Sequence, residues 1–213
     1  MKVLLINGSP HKNGCTTTAL AEIEKTLKEE KILCDTHFVG TDPISCCRGC
    51  AACGRLGRCV IDDEVNGFLE YAAYFDGYII AAPVHCGSAS GNIVPFLDRV
   101  FYVNYMSGRK IFEHKPGAAV TSARRAGTTT TLDQLNKYFM LAQMPIISGR
   151  YWNIVHGMSA EQAKLDLEGM QNMRILARNM AWTLKCIEAG EKAGIKPPKT
   201  EELIHTNFIR LNS

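Results

Sequence analysis

Val3 to Thr18 reads VLLINGSPHKNGCTTT, and this stretch decides the fold. Val3, Leu4, Leu5 and Ile6 form an uninterrupted apolar run, the pattern of a strand buried on both faces of a parallel sheet. The run empties into a polar turn carrying Asn7, Gly8, Ser9, Asn13 and Gly14, and a helical pattern starts near Cys15. A strand, a glycine-containing turn and a helix start in that order make an anion site. The first-turn N–H groups have no partner inside the helix, and the dipole there is equivalent to about half a positive charge. The hydroxyls of Thr16, Thr17 and Thr18 add donors. The turn lacks the G-x-G-x-x-G of a dinucleotide-binding strand and the Gly-Lys-Ser/Thr ending of a triphosphate loop, and no Arg closes a phosphatase-like loop from Cys15. A mononucleotide phosphate held by backbone and hydroxyls fits what is left. A capped helix behind a polar turn would use the same residues.

Downstream the pattern repeats. Leu20, Ile23 and Leu27 give the first helix one apolar stripe, and Ile32 to Val39 reads as a second strand, less apolar and so nearer an edge. Thr41 to Ile61 breaks every periodicity and reads as a long loop, a length that usually carries function. Asp62 and Asp63 can cap a helix through Val65, Phe68 and Leu69, and Tyr78 to Ala82 is the third strand. Pro83 to Asn92 is a Gly-rich loop before a third helix through Phe96 and Val100; Ala118 to Thr121 is the fourth strand, with a further loop at Ser122 to Thr131. Leu132, Leu135 and Phe139 mark the next helix, Pro145 to Ser148 a short fifth strand that Tyr151 to Val155 extends or flanks, and Ser159 to Ala189 one long helix. Strands alternating with helices require a parallel sheet covered on both faces. Of the doubly wound orders, 2-1-3-4-5 brings the Asn7–Thr16 and Pro83–Asn92 loops together at its switch point. Residues 1–190 read as one domain and 191–213, with Pro197 and Pro198, as a tail or arm.

The chain has 213 residues, 46% hydrophobic and 21% charged, with a net charge of +3 and no basic stripe. Composition therefore gives no case for nucleic acid, and no apolar run is long enough to span a bilayer. The apolar start is too short for a signal peptide, so the expected location is the cytoplasm. Nine cysteines are many for such a chain, and most of them crowd between Cys46 and Cys59. Cys47, Cys50, Cys53 and Cys59 follow C-x-x-C-x-x-C-x5-C, which matches all-cysteine ligation of an iron-sulfur cluster, with neighbouring Cys46 an alternative first ligand. A structural zinc, which more often takes two separated pairs, and free or oxidised thiols are the other readings. Cys34 and Cys186 read as small buried hydrophobes, and Tyr151 and Trp152 as aromatic core ahead of packing over a flavin or a subunit boundary.

GSPHKNGCTTTAL resembles the opening of the NAD(P)H-dependent FMN reductases and iron-sulfur flavoproteins, whose fold is flavodoxin-like. APVHCGSASGNIVPFLDR, SARRAGTTTTL and SGRYWNIVHG carry the resemblance along nearly the whole chain. It implies that Ser9, Asn13, Cys15 and Thr16 hold the FMN phosphate. It implies that Pro83, Val84, His85, Cys86 and Gly87 line one edge of the isoalloxazine, and that Ser122, Arg124, Arg125 and Gly127 approach from the third loop. The chain departs from the pattern at Cys15, where relatives commonly carry Asn, and at His85 and Cys86, where they carry an aromatic pair. For the cysteine loop the resemblance implies a [4Fe-4S] cluster that passes single electrons to FMN. The implied activity is transfer of electrons from NADH, NADPH or a ferredoxin-like donor to a flavin, quinone or other small acceptor, in a homodimer or homotetramer. No protein acid, base or nucleophile is needed for that chemistry. A flavodoxin-like electron carrier and a cysteine-loop redox sensor are the rival classes.

Overall fold

The computed structural model describes residues 1–199, 201, 202 and 204. Much of the expected arm at 191–213 lies outside the described residues; what is described of it past residue 192 is exposed and without regular structure. The strands β1 (Lys2–Asn7), β2 (Leu33–Phe38), β3 (Gly77–His85), β5 (Gly117–Ala123) and β6 (Ile154–His156) pair in parallel in the order β2-β1-β3-β5-β6. A two-residue strand β4 (Ser88–Ala89) folds back antiparallel onto β3. Setting β4 aside, this is the 2-1-3-4-5 order expected from the sequence.

The alternation within β1 explains the double burial: Val3 and Leu5 join one core, Leu4 and Ile6 the other. Helices α1 (Cys15–Glu29), α6 (Ala160–Leu165) and α7 (Leu167–Lys192) cover the first face, and α3 (Glu64–Ala72), α4 (Ile93–Ser107) and α5 (Thr128–Leu141) the second. β2 is the edge strand its composition suggested, with Leu33 exposed.

Several expectations need correction. The fifth ladder belongs to Ile154–His156, while 145–147 makes only a bridge at Ile146 to Gly117. Asn153 fills the break between them: its Nδ2 donates to the carbonyls of Ala119 (3.0 Å) and Ile147 (3.4 Å), and its Oδ1 accepts from the Gly149 N–H. The expected long helix is two helices. Asp166 separates them, because its carboxylate caps α7 through the Gly169 N–H and also accepts from the His156 N–H. The 83–92 loop is shorter than expected: Pro83 to His85 continue β3, and a two-residue turn at Cys86 and Gly87, both at positive φ, makes a hairpin with β4. A short helix α2 (Cys53–Leu56) lies inside the cysteine loop. Tyr151 and Trp152 are half exposed with their rings against each other, not core. Cys186 is exposed, because α7 buries Met173, Leu176, Met180 and Leu184 and turns position 186 away from them.

Candidate functional site

At the switch point the carboxyl ends of β1, β3 and β5 bring three loops together. In the first, Asn7 sets the shape: its Oδ1 accepts from the Ser9 N–H at 2.9 Å and its Nδ2 donates to Thr17 Oγ1 at 2.9 Å. The Ser9 hydroxyl closes on the backbone of His11, and Thr18 Oγ1 on the Gly14 carbonyl. Thr16 is buried and shares a hydrogen bond of 2.8 Å with Ser122 at the end of β5. The Cys15 thiol donates away from the turn, to the carbonyls of Gly157 and Ser159. Asn13 is exposed. The sequence-derived residues of this loop therefore sit together, with backbone N–H groups rather than hydroxyls left open.

The second loop docks on the first through Ser90, whose Oγ donates to the Gly8 carbonyl at 2.6 Å. His85, Cys86 and Gly87 stand exposed at the hairpin tip, and Pro83 and Val84 are half-buried at its base. Gln134 of α5 steadies the hairpin, accepting from Ser88 Oγ and the Ala89 N–H. Gly127 holds the third loop against the second at φ +91°, where a Cβ would lie 2.7 Å from Val84 Cγ1 and 2.9 Å from the Gly87 Cα. Arg124 and Arg125 are exposed beside it, and no carboxylate among the described residues pairs with either. Ser90 and Gln134 escaped the sequence reading because their partners lie tens of residues away.

The helices that start at this crevice share one property. α1, α4 and α5 begin at Gly14, Asn92 and Gly127 with no side-chain cap and no acidic residue in the first turn. By contrast α3, α6 and α7 are capped by Asp63, Ser159 and Asp166, and each has a Glu in its first turn. Apart from the four-residue α2, which is also uncapped, the helix starts that lack an anion are those where the three loops meet.

The cysteine loop leaves the same crevice. Asn92 Nδ2 donates to the carbonyls of Gly40 and Asp42 at 3.1 Å each, tying the start of the segment to the first residue before α4. Cys47, Cys50, Cys53 and Cys59 line one small pocket with Arg99 and Tyr102. Cys53 is buried, Cys59 half-buried, and Cys46, Cys47 and Cys50 exposed; all are free thiols. Burial pushes the Cys53 thiol up, and the neighbouring Cys47, Cys50 and Cys59 add to that. Among the described residues no three metal-ligating side chains converge on a point. The donor set nevertheless suits an iron-sulfur cluster: four cysteines border one pocket whose lining otherwise consists of apolar side chains, Tyr102 and two cations, exposed Arg48 and buried Arg99.

An iron-sulfur flavoprotein of Methanocaldococcus jannaschii is 28% identical over 194 residues, covering 88% of this chain and all of that one. The iron-sulfur flavoprotein of Methanosarcina thermophila is 27% identical and covers 88% of this chain and 97% of its own. A flavodoxin, WrbA-like protein from Agrobacterium tumefaciens superposes with a TM-score of 0.62 at 12% identity, covering 87% of this chain and 98% of that one, which fixes the flavodoxin-like fold. Residues 1–159 match the model of the NADPH-dependent FMN reductases, and the chain belongs to this family of FMN-binding oxidoreductases.

Proposed function

We propose that this chain is an FMN-dependent oxidoreductase of the iron-sulfur flavoprotein type. It takes electrons from NADH, NADPH or a ferredoxin-like donor and delivers them to a flavin, quinone or other small acceptor. The observation that carries the reading is the set of three uncapped helix starts at one crevice, whose open N–H groups favour an anion such as the phosphate of FMN.

Ser9, Asn13, Cys15 and Thr16 would hold the FMN phosphate, chiefly through backbone N–H groups, since the hydroxyls of Ser9 and Thr16 already shape the loop. Pro83 to Gly87 would line the ring edge, where N–H groups meet its carbonyl oxygens. Ser122 and Gly127 would close the third side, and Arg124 and Arg125 offer unpaired positive charge to the reduced ring or to the phosphates of a nicotinamide. Bound FMN supplies the hydride and one-electron chemistry; the chain supplies anchoring, polarisation and access. Cys47, Cys50, Cys53 and Cys59 would ligate a [4Fe-4S] cluster. The free thiols suit a reducing cytoplasm. The relatives support both groups through their names, as iron-sulfur flavoproteins.

Anaerobic purification with an absorption spectrum and counts of flavin, iron and sulfide per chain tests the reading, followed by steady-state oxidation of NADH and NADPH with free FMN or a quinone. Bound FMN and turnover are expected. A colourless chain that refuses added FMN overturns it, and FMN binding without turnover from any donor reassigns the chain as a carrier.

A further inference from the structure

We propose that Arg99 is a positioning residue for the cysteine pocket: from α4 its guanidinium fixes the Cys59 sulfur as the fourth cluster ligand and supplies the cation that a four-thiolate site requires. This rests on the reading of Cys47, Cys50, Cys53 and Cys59 as cluster ligands.

Arg99 is 1% exposed, the largest fully buried side chain in the molecule's described part. Burying a guanidinium is costly unless all its donors are met. Asp63 takes two of them in a fork, at 2.5 and 2.7 Å, and the carbonyls of Ser45 and Ile61 accept at 3.4 and 3.2 Å. The fifth donor, the Nε–H, goes to sulfur: it lies 3.4 Å from Cys59 Sγ, and the Nη that serves Asp63 and Ile61 also sits 3.3 Å from that sulfur. A neutral thiol is a weak acceptor, and the last donor of a buried cation aimed at one is poorly matched. Aimed at a metal-bound thiolate, it becomes a charge-assisted bond. The geometry is that of an outer partner that orients a ligand and sets its electron density.

Cys59 is prepared for that role in a second way. Asn66 of α3 clasps its peptide, accepting from the Cys59 N–H at 2.8 Å and donating to the Cys59 carbonyl at 3.1 Å. Backbone and sulfur of this one cysteine are thus both fixed, while Cys47 and Cys50 stay exposed on a stretch without regular structure. Arg99 also follows Asn92 by seven residues on one helix, about 10 Å of rise, so the same rigid rod reaches the flavin crevice and the cysteine pocket. Adding an electron to a cluster makes it more negative, and a fixed cation beside it favours that state.

The test compares the wild-type chain with Arg99→Met and Arg99→Lys, each reconstituted anaerobically with ferrous iron and sulfide in the presence of FMN. Wild type is expected to hold about four irons per chain. Arg99→Met should keep FMN, lose iron affinity about tenfold or more, and give any residual cluster a more negative midpoint potential. Arg99→Lys keeps the charge without the fork and should recover part of the iron and of the potential. In iron-free protein, iodoacetamide should label Cys59 about tenfold more slowly in Arg99→Met than in wild type, because the cation that favours its thiolate is gone, with Cys47 unchanged, read by peptide mass spectrometry. Should Arg99→Met fail to fold, seen as loss of FMN, Arg99→Lys decides on the same readouts. Wild-type iron content, potential and Cys59 labelling in the variants overturn the role of Arg99 alone. A wild type that takes up no iron overturns the cluster reading, and the ligand-positioning role falls with it.

Discussion

At the crevice the chain leaves positive ends of helices open and holds its loops in shape with neutral bonds: Asn7 to Ser9, Thr16 to Ser122, Ser90 to Gly8. At the cysteine pocket it does the reverse, capping α3 with Asp63 and pairing that half-buried carboxylate with the buried Arg99 guanidinium, which lies against the sulfur of Cys59. The contrast follows from who brings the negative charge. A phosphate arrives with its own, so the crevice has only to offer N–H groups and no competing carboxylate. Were the cysteines to ligate the proposed cluster, their negative charge would come from the chain, and Arg99 would be the cation the chain sets beside it. The two plans meet on α4, whose start lies at the crevice and whose middle carries Arg99.

The sharpest way to break the comparison is Asp63→Asn, because Asn still caps α3 while the buried guanidinium loses its counter-charge. Leaving such a charge unpaired should cost about 3 kcal/mol at neutral pH, measured as a shift in the urea midpoint, with FMN retained. The pH dependence identifies the cause. The Arg99 guanidinium holds the Asp63 carboxyl below the usual carboxylate range. In the unfolded chain that carboxyl titrates near ~3.9, so the pair's contribution is complete above that pH and is lost as pH falls from there through the lowered folded value. The gap between wild type and Asp63→Asn should therefore narrow only below about pH 4. A gap that stays constant down to acid, or equal stability at pH 7, refutes the ion-pair account.

Gly127→Ala attacks the other plan. The added Cβ would meet Val84 and the backbone of Gly87 below 3 Å, at a φ of +91°. Strain of this kind costs about 2 kcal/mol and pushes the third loop off the second. FMN affinity should fall about tenfold or more, ~1.4 kcal/mol, by flavin-fluorescence titration, while iron content per folded chain stays at the wild-type level. Unchanged FMN affinity would mean that the third loop is not part of the cradle.

The sheet was legible because its signals are local. Val3 to Ile6 and Tyr78 to Ala82 are apolar runs buried on both faces, and each empties into a loop whose glycines can be counted. The fifth strand was misplaced because its determinant is long-range: Asn153 bridges to Ala119 and Ile147, and no periodicity reveals such a side-chain plug. Asp166 likewise splits a pattern that is helical on both sides of it, since its carboxylate answers to His156. In the crevice the loops could be named but not the internal use of their hydroxyls, and Ser90 and Gln134 carry no local mark of their partners. In the cysteine loop the spacing named the ligand candidates; Arg99, 40 residues beyond Cys59 and set in a helix of ordinary pattern, gave no sign of its partner.

Cys15 tests the comparison most finely, because it is a cysteine placed on the crevice side. Its thiol donates to the carbonyls of Gly157 and Ser159 at 3.3 and 3.2 Å, joining the start of α1 to the turn before α6. Burial pushes this thiol up, so at neutral pH it is an uncharged donor that does not repel a phosphate. What position 15 offers the anion is then its backbone N–H, which any side chain leaves in place. Cys15→Ala should lower stability by about 1 kcal/mol through the Gly157 carbonyl left without the thiol donor, since Ser159 keeps the Ala163 N–H, and Cys15→Ser should restore much of it. FMN affinity should change by no more than about twofold in either variant, well under the ~1.4 kcal/mol of a tenfold effect. A tenfold loss of FMN in Cys15→Ala at unchanged stability would mean that the sulfur itself turns toward the phosphate, and the neutral-bond plan of the crevice would fail at its first helix.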